Sequence, residues 1–421
     1  MIHNMTNTPF DLTNLCHVDE IKRGILSIEQ ATSLLMENKG LSFIDNGKCS
    51  KLLGQSEEGS ALIKVAINTG ISHISQLESE KEKIEKLFSL SYSPDMIFDH
   101  THSGVDSCKD WNKRLYAYIT KNFKEKAIVA IAPVMEVFDS QMGVDKNELL
   151  DVIEHMAICG VRLMLFHPTT SQSIWDIASV QRKKPSTSWG GTLLYKDMQL
   201  NCRPNNVVAE NFEDILKILK RYNVTLDIGS AFRPSRISEA LDEAHIMELR
   251  DQELWIAKAK NAGVFCIREG LGHIKLHEIS KFAEIIDHST PMMPLPIATD
   301  ASIGFDHVSC AIAMTVLGLH CNIGILNPVT RMEHTGGIPT ITEIIEELQS
   351  ARVVAHSLDL CNIPQCQEID NTVSDIRQYG KTCVVGGGLF QEYSKSDMTI
   401  QEGCDRCGIQ CPLKIQKPPL S

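Results

Sequence analysis

From about residue 60 onward, short apolar runs alternate with longer stretches whose apolar residues recur at helical spacing. The runs are Ala61–Ile67, Met96–Asp99, Ala127–Val134, Val161–His167, Val224–Gly229, Val264–Arg268, Met292–Ala298 and Asn322–Leu326. Each is strand-length and most are rich in β-branched residues, which predicts eight buried strands. Between them, Glu80–Leu87, Lys146–Ala157, Phe212–Tyr222 and Asp242–Lys260 carry the helical period. Strand, helix, strand repeated in this way implies right-handed crossovers and a parallel sheet. Eight units predict an α/β fold, a (β/α)8 TIM-type barrel of roughly 250 residues, ahead of an open doubly wound sheet.

The pattern divides the chain into a small N-terminal helical region (1–58), the barrel (59–338) and a C-terminal segment (339–421). Ile21–Asn38 predicts an amphipathic helical pair in the first part. In the last part, Ile341–Leu360 reads as a long helix, Asp370–Tyr379 as a second, and Gly386–Gly388 as a stop. The final stretch has few large apolar groups and needs a metal or a partner surface to become ordered.

Most of the predicted strands end in polar residues: Asn68 and Thr69, Asp99 and His100, His167, Ser230 with Arg233, Glu269 with His273, Thr299 with Asp300, and Asn327. A barrel brings all these ends to one mouth, where active sites sit.

Composition narrows the choice of ligand. Hydrophobic residues are 43% and charged residues 22% of 421, enough for a sizeable core. A net charge of -12 argues against nucleic acid or an anionic membrane as partner, and aromatic residues, at 6%, are not interleaved with basic runs. A phosphate ligand would need a local basic pocket, and Arg182-Lys183-Lys184 is the one compact basic run in the barrel, otherwise a solvated loop. The longest apolar stretch, Cys310–Leu319, is far short of the roughly 20 residues of a membrane span. The start shows no basic and apolar leader, so the expected localisation is cytoplasmic. Phosphate-loop, dinucleotide-binding, nucleophile-elbow and zinc-protease motifs are all missing from the sequence.

Two constellations carry chemistry. Cys404-Asp-Arg-Cys407-Gly-Ile-Gln-Cys411 places three thiols in a segment otherwise poor in structure. Structural zinc wants four ligands. Three thiolates on a four-iron cluster leave one iron open for S-adenosylmethionine, so the spacing places iron–sulfur above zinc. The second constellation is Glu269-Gly-Leu-Gly-His273 and Glu333-His334, whose imidazoles could share a divalent metal, although His277, His307 and His320 are equally available on spacing.

Glu269-Gly-Leu-Gly-His273, Thr299-Asp300, Gly304-Phe305-Asp306-His307, Val329-Thr330 with Glu333-His334, and the terminal cysteines together resemble the phosphomethylpyrimidine synthase family, ThiC, from about Ala61 to the tail. The resemblance implies a radical S-adenosylmethionine lyase with a (β/α)8 barrel acting on 5-aminoimidazole ribotide. It implies Cys404, Cys407 and Cys411 as ligands of a 4Fe-4S cluster and His273 and His334 as ligands of a divalent metal, zinc by expectation. Asn68, His167, Ser188, Gly190, Arg233 and Glu269 match substrate positions, and Glu269, Asp300 and His307 are candidates for proton transfer. A homodimer or a dimer with a paralogue, and an electron donor such as a flavodoxin or ferredoxin, complete the expectation.

The chain also departs from that pattern. The tail is C-x2-C-x3-C, one residue shorter than the family's C-x2-C-x4-C. Ser188-Trp189-Gly190 stands for Ser-Arg-Gly, and Ser230-Ala231-Phe232-Arg233 for Asp-Gly-Leu-Arg. Met135 and, approximately, Met292 stand for two tyrosines. A guanidinium that could pair with phosphate is lost. The departures favour the family's second branch, the anaerobic 5-hydroxybenzimidazole synthases of cobalamin biosynthesis, over the pyrimidine reaction of thiamine biosynthesis. A weakly active paralogue serving as a partner subunit is a third reading.

Overall fold

The structure is a computed structural model, and it describes residues 55–56, 59–90, 92–101, 111–364, 366–367, 370–371, 407–410 and 412. The helices expected at Ile21–Asn38 and over most of Asp370–Tyr379 lie outside these residues, as do Gly386–Gly388, Cys404 and Cys411. Two compact units are separated by their contacts, and one of them, Phe43–Ser89 with Pro94–Leu358, contains the whole barrel.

Eight strands run β1 (Lys64–Thr69), β2 (Met96–Asp99), β3 (Ile128–Ile131), β4 (Leu163–Phe166), β5 (Thr225–Ile228), β6 (Cys266–His273), β7 (Met292–Ile297) and β8 (Ile325–Leu326). All pair in parallel in the order β8-β1-β2-β3-β4-β5-β6-β7. A parallel bridge from Met292 to Ile323 joins the two edges, with Met292 N donating to Asn322 O at 2.8 Å and Gly324 N to Met292 O at 3.0 Å. The sheet is therefore a closed barrel, as the eight-run pattern predicts.

Alternation along the strands sends Ala66, Phe98, Ala130, Leu165, Ile267, Met293 and Ile325 into one buried cluster. Burying a large apolar side chain contributes roughly 1.5–3 kcal/mol, so this shared interior is a main support of the fold. Outside it lie α1 (Leu77–Ser89), α2 (Leu115–Phe123), α3 (Lys146–Cys159), α4 (Trp189–Leu200), α5 (Phe212–Tyr222), α6 (Glu243–Ala262), α7 (Asp306–Gly318) and α8 (Ile341–Asn362), with a further ten-residue helix at Gln172–Gln181 and shorter pieces between them. The helix α5 shows the logic: Phe212, Ile215, Leu216 and Leu219 are buried, while Glu213, Lys217, Lys220 and Arg221 face water. Asp145 caps α3 by accepting from Asn147 N and Glu148 N, and Gly160 ends it with φ 115°.

The strand β6 differs from expectation. Glu269-Gly-Leu-Gly-His273 reads as a loop because of its glycines, yet it continues the strand, pairing Glu269 with Met293 and His273 with Ile297. Gly272 has φ 77°, and a Cβ there would fall 2.5 Å from Pro234 O, so a close approach of the loop after β5 requires the glycine.

Candidate functional site

The strand ends surround a cavity of about 500 Å³. Asn68, His100, His167, Arg233, Glu269 and Asn327 supply polar wall, and Met135, Leu165 and Leu295 apolar wall. Met292 is not in the wall: it begins β7, and Leu295 is the β7 residue that reaches the cavity.

His167 is the centre of the polar wall. Its ring lies between two glycines: a Cβ on Gly190 would fall 2.8 Å from Cε1 and Nδ1, and one on Gly229 would fall 2.7 Å from Cδ2 and Nε2. Nε2 is 2.7 Å from Ser188 Oγ and 3.8 Å from Glu269 Oε2. Burial, helped by the charge of Arg233 and by His100, pushes this imidazole down to about 3, so it is neutral near pH 7. Glu269 Oε2 accepts from Arg233 Nη1 at 2.9 Å and from Ser230 N at 3.0 Å. Beneath them Asp227, fully buried on β5, has neither carboxyl oxygen hydrogen-bonded among the described residues. Burial and then the charge of Glu269 hold its carboxyl well above the usual range. Across the mouth, His100 Nε2 meets Asn68 Oδ1 at 3.0 Å, with its ring stacked on Phe98 at 4.2 Å.

A residue the sequence reading missed shapes the loop after β5. Glu248 on α6 accepts from Ser230 Oγ at 2.6 Å, Ala231 N at 2.6 Å, Phe232 N at 2.8 Å and Thr169 Oγ1 at 2.9 Å. These bonds to one buried carboxylate hold the Ser230-Ala231-Phe232-Arg233 turn. Its signal in the sequence is a charged residue on the apolar face of α6, four places after Ala244.

At the rim, His273 and His334 bring their rings to a centroid distance of 5.2 Å at 72°. His273 Nδ1 is 2.7 Å from Asp300 Oδ1, and His334 Nδ1 is 3.0 Å from Asp306 Oδ1. Carboxylates on both Nδ1 atoms leave the two Nε2 atoms as the remaining ring donors, and a carboxylate on the far nitrogen is a common outer-shell partner of metal-binding histidines. Among the described residues no group of three or more His, Cys, Asp or Glu side chains is gathered for a metal. Two imidazoles alone would leave a divalent ion to take its other ligands from solvent or substrate.

The basic run divides. Arg182 is buried, with Nε 2.7 Å from Asp242 Oδ2 and Nη1 2.7 Å from Phe232 O, so it is structural and absent from the cavity wall. Lys184 is exposed and lines the cavity. Trp189, the first residue of α4, is 59% exposed and also lines it, which rules out core filling as its role.

Of the residues singled out from the sequence, Asn68, His167, Ser188, Gly190, Arg233 and Glu269 all line the one cavity. Asp300 sits on His273 Nδ1 and also accepts from Ile237 N at 3.1 Å. His307 lies on α7, outside the cavity wall, with Nδ1 unpartnered among the described residues. In the tail, Cys407 is exposed and leads a short turn in which Gln410 N donates to Cys407 O at 3.0 Å.

Comparison with known proteins places this site in a lineage. The chain is 28% identical to a phosphomethylpyrimidine synthase of Clostridium perfringens over 413 residues, 93% of this chain and 91% of that protein. It is 30% identical to the 5-hydroxybenzimidazole synthase BzaA of Moorella thermoacetica over 301 residues, 68% of each chain. A dihydropteroate synthase structure from Stenotrophomonas maltophilia overlaps 70% of this chain and 93% of its own with a TM-score of 0.41 at 10% identity, which is too distant to bear on function. The family model for the radical SAM ThiC family matches residues 46–418. The chain belongs to the radical SAM ThiC family.

Proposed function

We propose that this enzyme rearranges 5-aminoimidazole ribotide to 5-hydroxybenzimidazole, the lower-ligand base of a cobalamin. The observation that carries the reading is Trp189, exposed in the cavity wall where the pyrimidine-forming pattern has an arginine. With Arg233 committed to Glu269 and Arg182 to Asp242, the wall is poorer in cations than the pyrimidine pattern requires. The similarity to BzaA supports the same branch. Phosphomethylpyrimidine synthesis is the second reading, favoured by coverage of 93% of the chain in the match to the Clostridium perfringens enzyme.

Radical SAM chemistry implies a 4Fe-4S cluster, S-adenosylmethionine and a reductant. When bound, cluster and S-adenosylmethionine supply a one-electron reduction that cleaves a carbon–sulfur bond and opens radical chemistry on the substrate. Cys404, Cys407 and Cys411 are the thiols suited to hold the cluster. The exposed Lys184, with the start of α4, receives the phosphate at the rim, and Trp189 offers a flat face to a ring. Neutral His167 braces Ser188 Oγ at 2.7 Å, Glu269 steadies positive charge beside Arg233, and Met135, Leu165 and Leu295 keep water from the ring. His273 and His334 are the residues that would hold a divalent metal, which would supply a fixed positive charge for a substrate or methionine group. The working form is a homodimer or a pair with a paralogue.

Anaerobic reconstitution with iron, sulfide, S-adenosylmethionine, a reductant and the ribotide tests this through product mass. 5-Hydroxybenzimidazole supports the proposal, and the pyrimidine phosphate establishes the second reading. 5'-Deoxyadenosine without either heterocycle means another substrate. No cleavage at all assigns the chain to a partner-subunit role.

A further inference from the structure

We infer that Gln252 is the positioning residue of the Glu269–Arg233 pair: its amide bridges the fork between β5 and β6 and so holds Glu269 with one carboxylate oxygen left over for the ligand. That ligand is the ribotide, and to that extent the inference rests on the reading above. The ladder between β5 and β6 pairs Ile228 with Arg268 and ends there, while β6 runs on beside β7 as far as His273. Gln252 of α6, fully buried, fills the fork. Its Nε2 donates to Ile228 O at 3.1 Å and Gly229 O at 3.2 Å on one side, and to Glu269 O at 2.9 Å on the other. Carbonyls only accept, so the amide nitrogen must face them. One side chain thus takes the place of the next rung of the ladder. Gly229, pinned by the same amide, is the glycine that backs the ring of His167.

Both halves of the charged pair hang on this fork. Glu269 Oε2 accepts from Ser230 N and Arg233 Nη1, and Glu269 Oε1 has no hydrogen-bond partner among the described residues. Ser230 is held in turn by Glu248, one helical turn before Gln252, which accepts from Ser230 Oγ. Glu248 therefore fixes the β5 side, and Gln252 ties that side to the backbone of Glu269 on β6, so α6 sets the separation of Arg233 and Glu269. Stability alone does not account for an amide at this place. Gln252 Oε1 is buried and unpaired among the described residues, a cost that an apolar side chain of similar length avoids. What the amide adds over methionine is its donors, and those go to the two strands that carry the pair.

The test is a double-mutant cycle in the full-length protein, read by urea unfolding: Arg233→Met, Glu269→Gln and the two together, each in wild type and in Gln252→Met. The coupling between Arg233 and Glu269 is expected to fall below half its wild-type value in Gln252→Met. A residue that only fills space would lower every stability alike and leave the coupling intact. Affinity for 5-aminoimidazole ribotide, measured at equilibrium under anaerobic conditions, is expected to weaken about tenfold or more, since small misplacements at a site are costly. Gln252→Asn, whose amide stops one methylene short of the fork, is expected to behave in the same way. Coupling or affinity left intact in either variant, or failure of either to fold, overturns the positioning role. Ribotide that does not bind wild type overturns the ribotide reading, and the coupling alone then judges Gln252.

Discussion

Arg233 Nη1 lies 2.9 Å from Glu269 Oε2, so the arginine at the mouth is already paired before any ligand arrives. Their side chains are only 17% and 5% exposed, which makes each the counter-charge of the other in a dry setting. Removing one partner of such a pair costs about 3–5 kcal/mol, because the other charge is left buried and alone. Arg233→Met should destabilise the barrel on that scale, and Arg233→Met with Glu269→Gln should recover most of the loss. Urea unfolding of the two single variants and the double variant measures the coupling; additive losses would mean that the pair is not a unit.

The ring of His167 between Gly190 and Gly229 makes a second prediction. Gly190→Ala brings a methyl group within 2.8 Å of a fully enclosed imidazole, and overpacking of this kind costs about 1–3 kcal/mol. Adding His167→Ala should relieve part of the loss in stability. A Gly190→Ala variant as stable as wild type would show that the ring can shift away.

Stability should fall on acidification for an identifiable reason. His245 is fully buried and accepts from Leu241 N at 3.3 Å. Burial, with the charge of Arg182 beside it and Asp242 opposing, pushes its imidazole from the ordinary 6.5 down to about 3. The unfolded chain therefore binds a proton that the fold refuses. The contribution is complete above pH about 6.5 and is lost as pH falls toward about 3. His167 acts in the same direction. Tm measured from pH 7 to 4 should drop less steeply in His245→Gln than in wild type, and equal slopes would move the cause elsewhere.

If His273 and His334 hold a divalent ion, Asp300 and Asp306 set the tautomer of each ring. Asp300→Asn or Asp306→Asn should weaken zinc binding about 10- to 100-fold, and His273→Ala should abolish it. Competition against a chromophoric chelator gives the affinities. Unchanged affinity in both carboxylate variants would detach the aspartates from the metal.

Arg182 and Lys184 are neighbours in sequence with opposite expected phenotypes. Arg182→Met should destabilise by about 3–5 kcal/mol through Asp242, left half-buried without its partner. Lys184→Gln should leave Tm unchanged and raise KM for the ribotide about fivefold, with an effect that fades at high salt. A Lys184→Gln variant with wild-type KM would remove this side chain from the phosphate site.

The sequence by itself determined the barrel and the end of it that matters. Strand length, β-branching and helical periodicity are local properties, so Met96–Asp99 and Phe212–Tyr222 could be read to the residue. The polar ends of those strands named most of the cavity wall, because parallel topology leaves them no other place to go. Tertiary structure decided what each side chain does there. Arg182 and Lys184 look alike in a basic run until one is seen on Asp242 and the other at the rim. Glu248 is one acid among several in α6 until four donors converge on it. Gly190, in α4, is small because the ring of His167, just past the end of β4, needs its space. Such partners lie from 16 to 79 residues apart in the chain, and hydrogen bonds and excluded volume act over only a few ångströms, so only the folded chain brings them together.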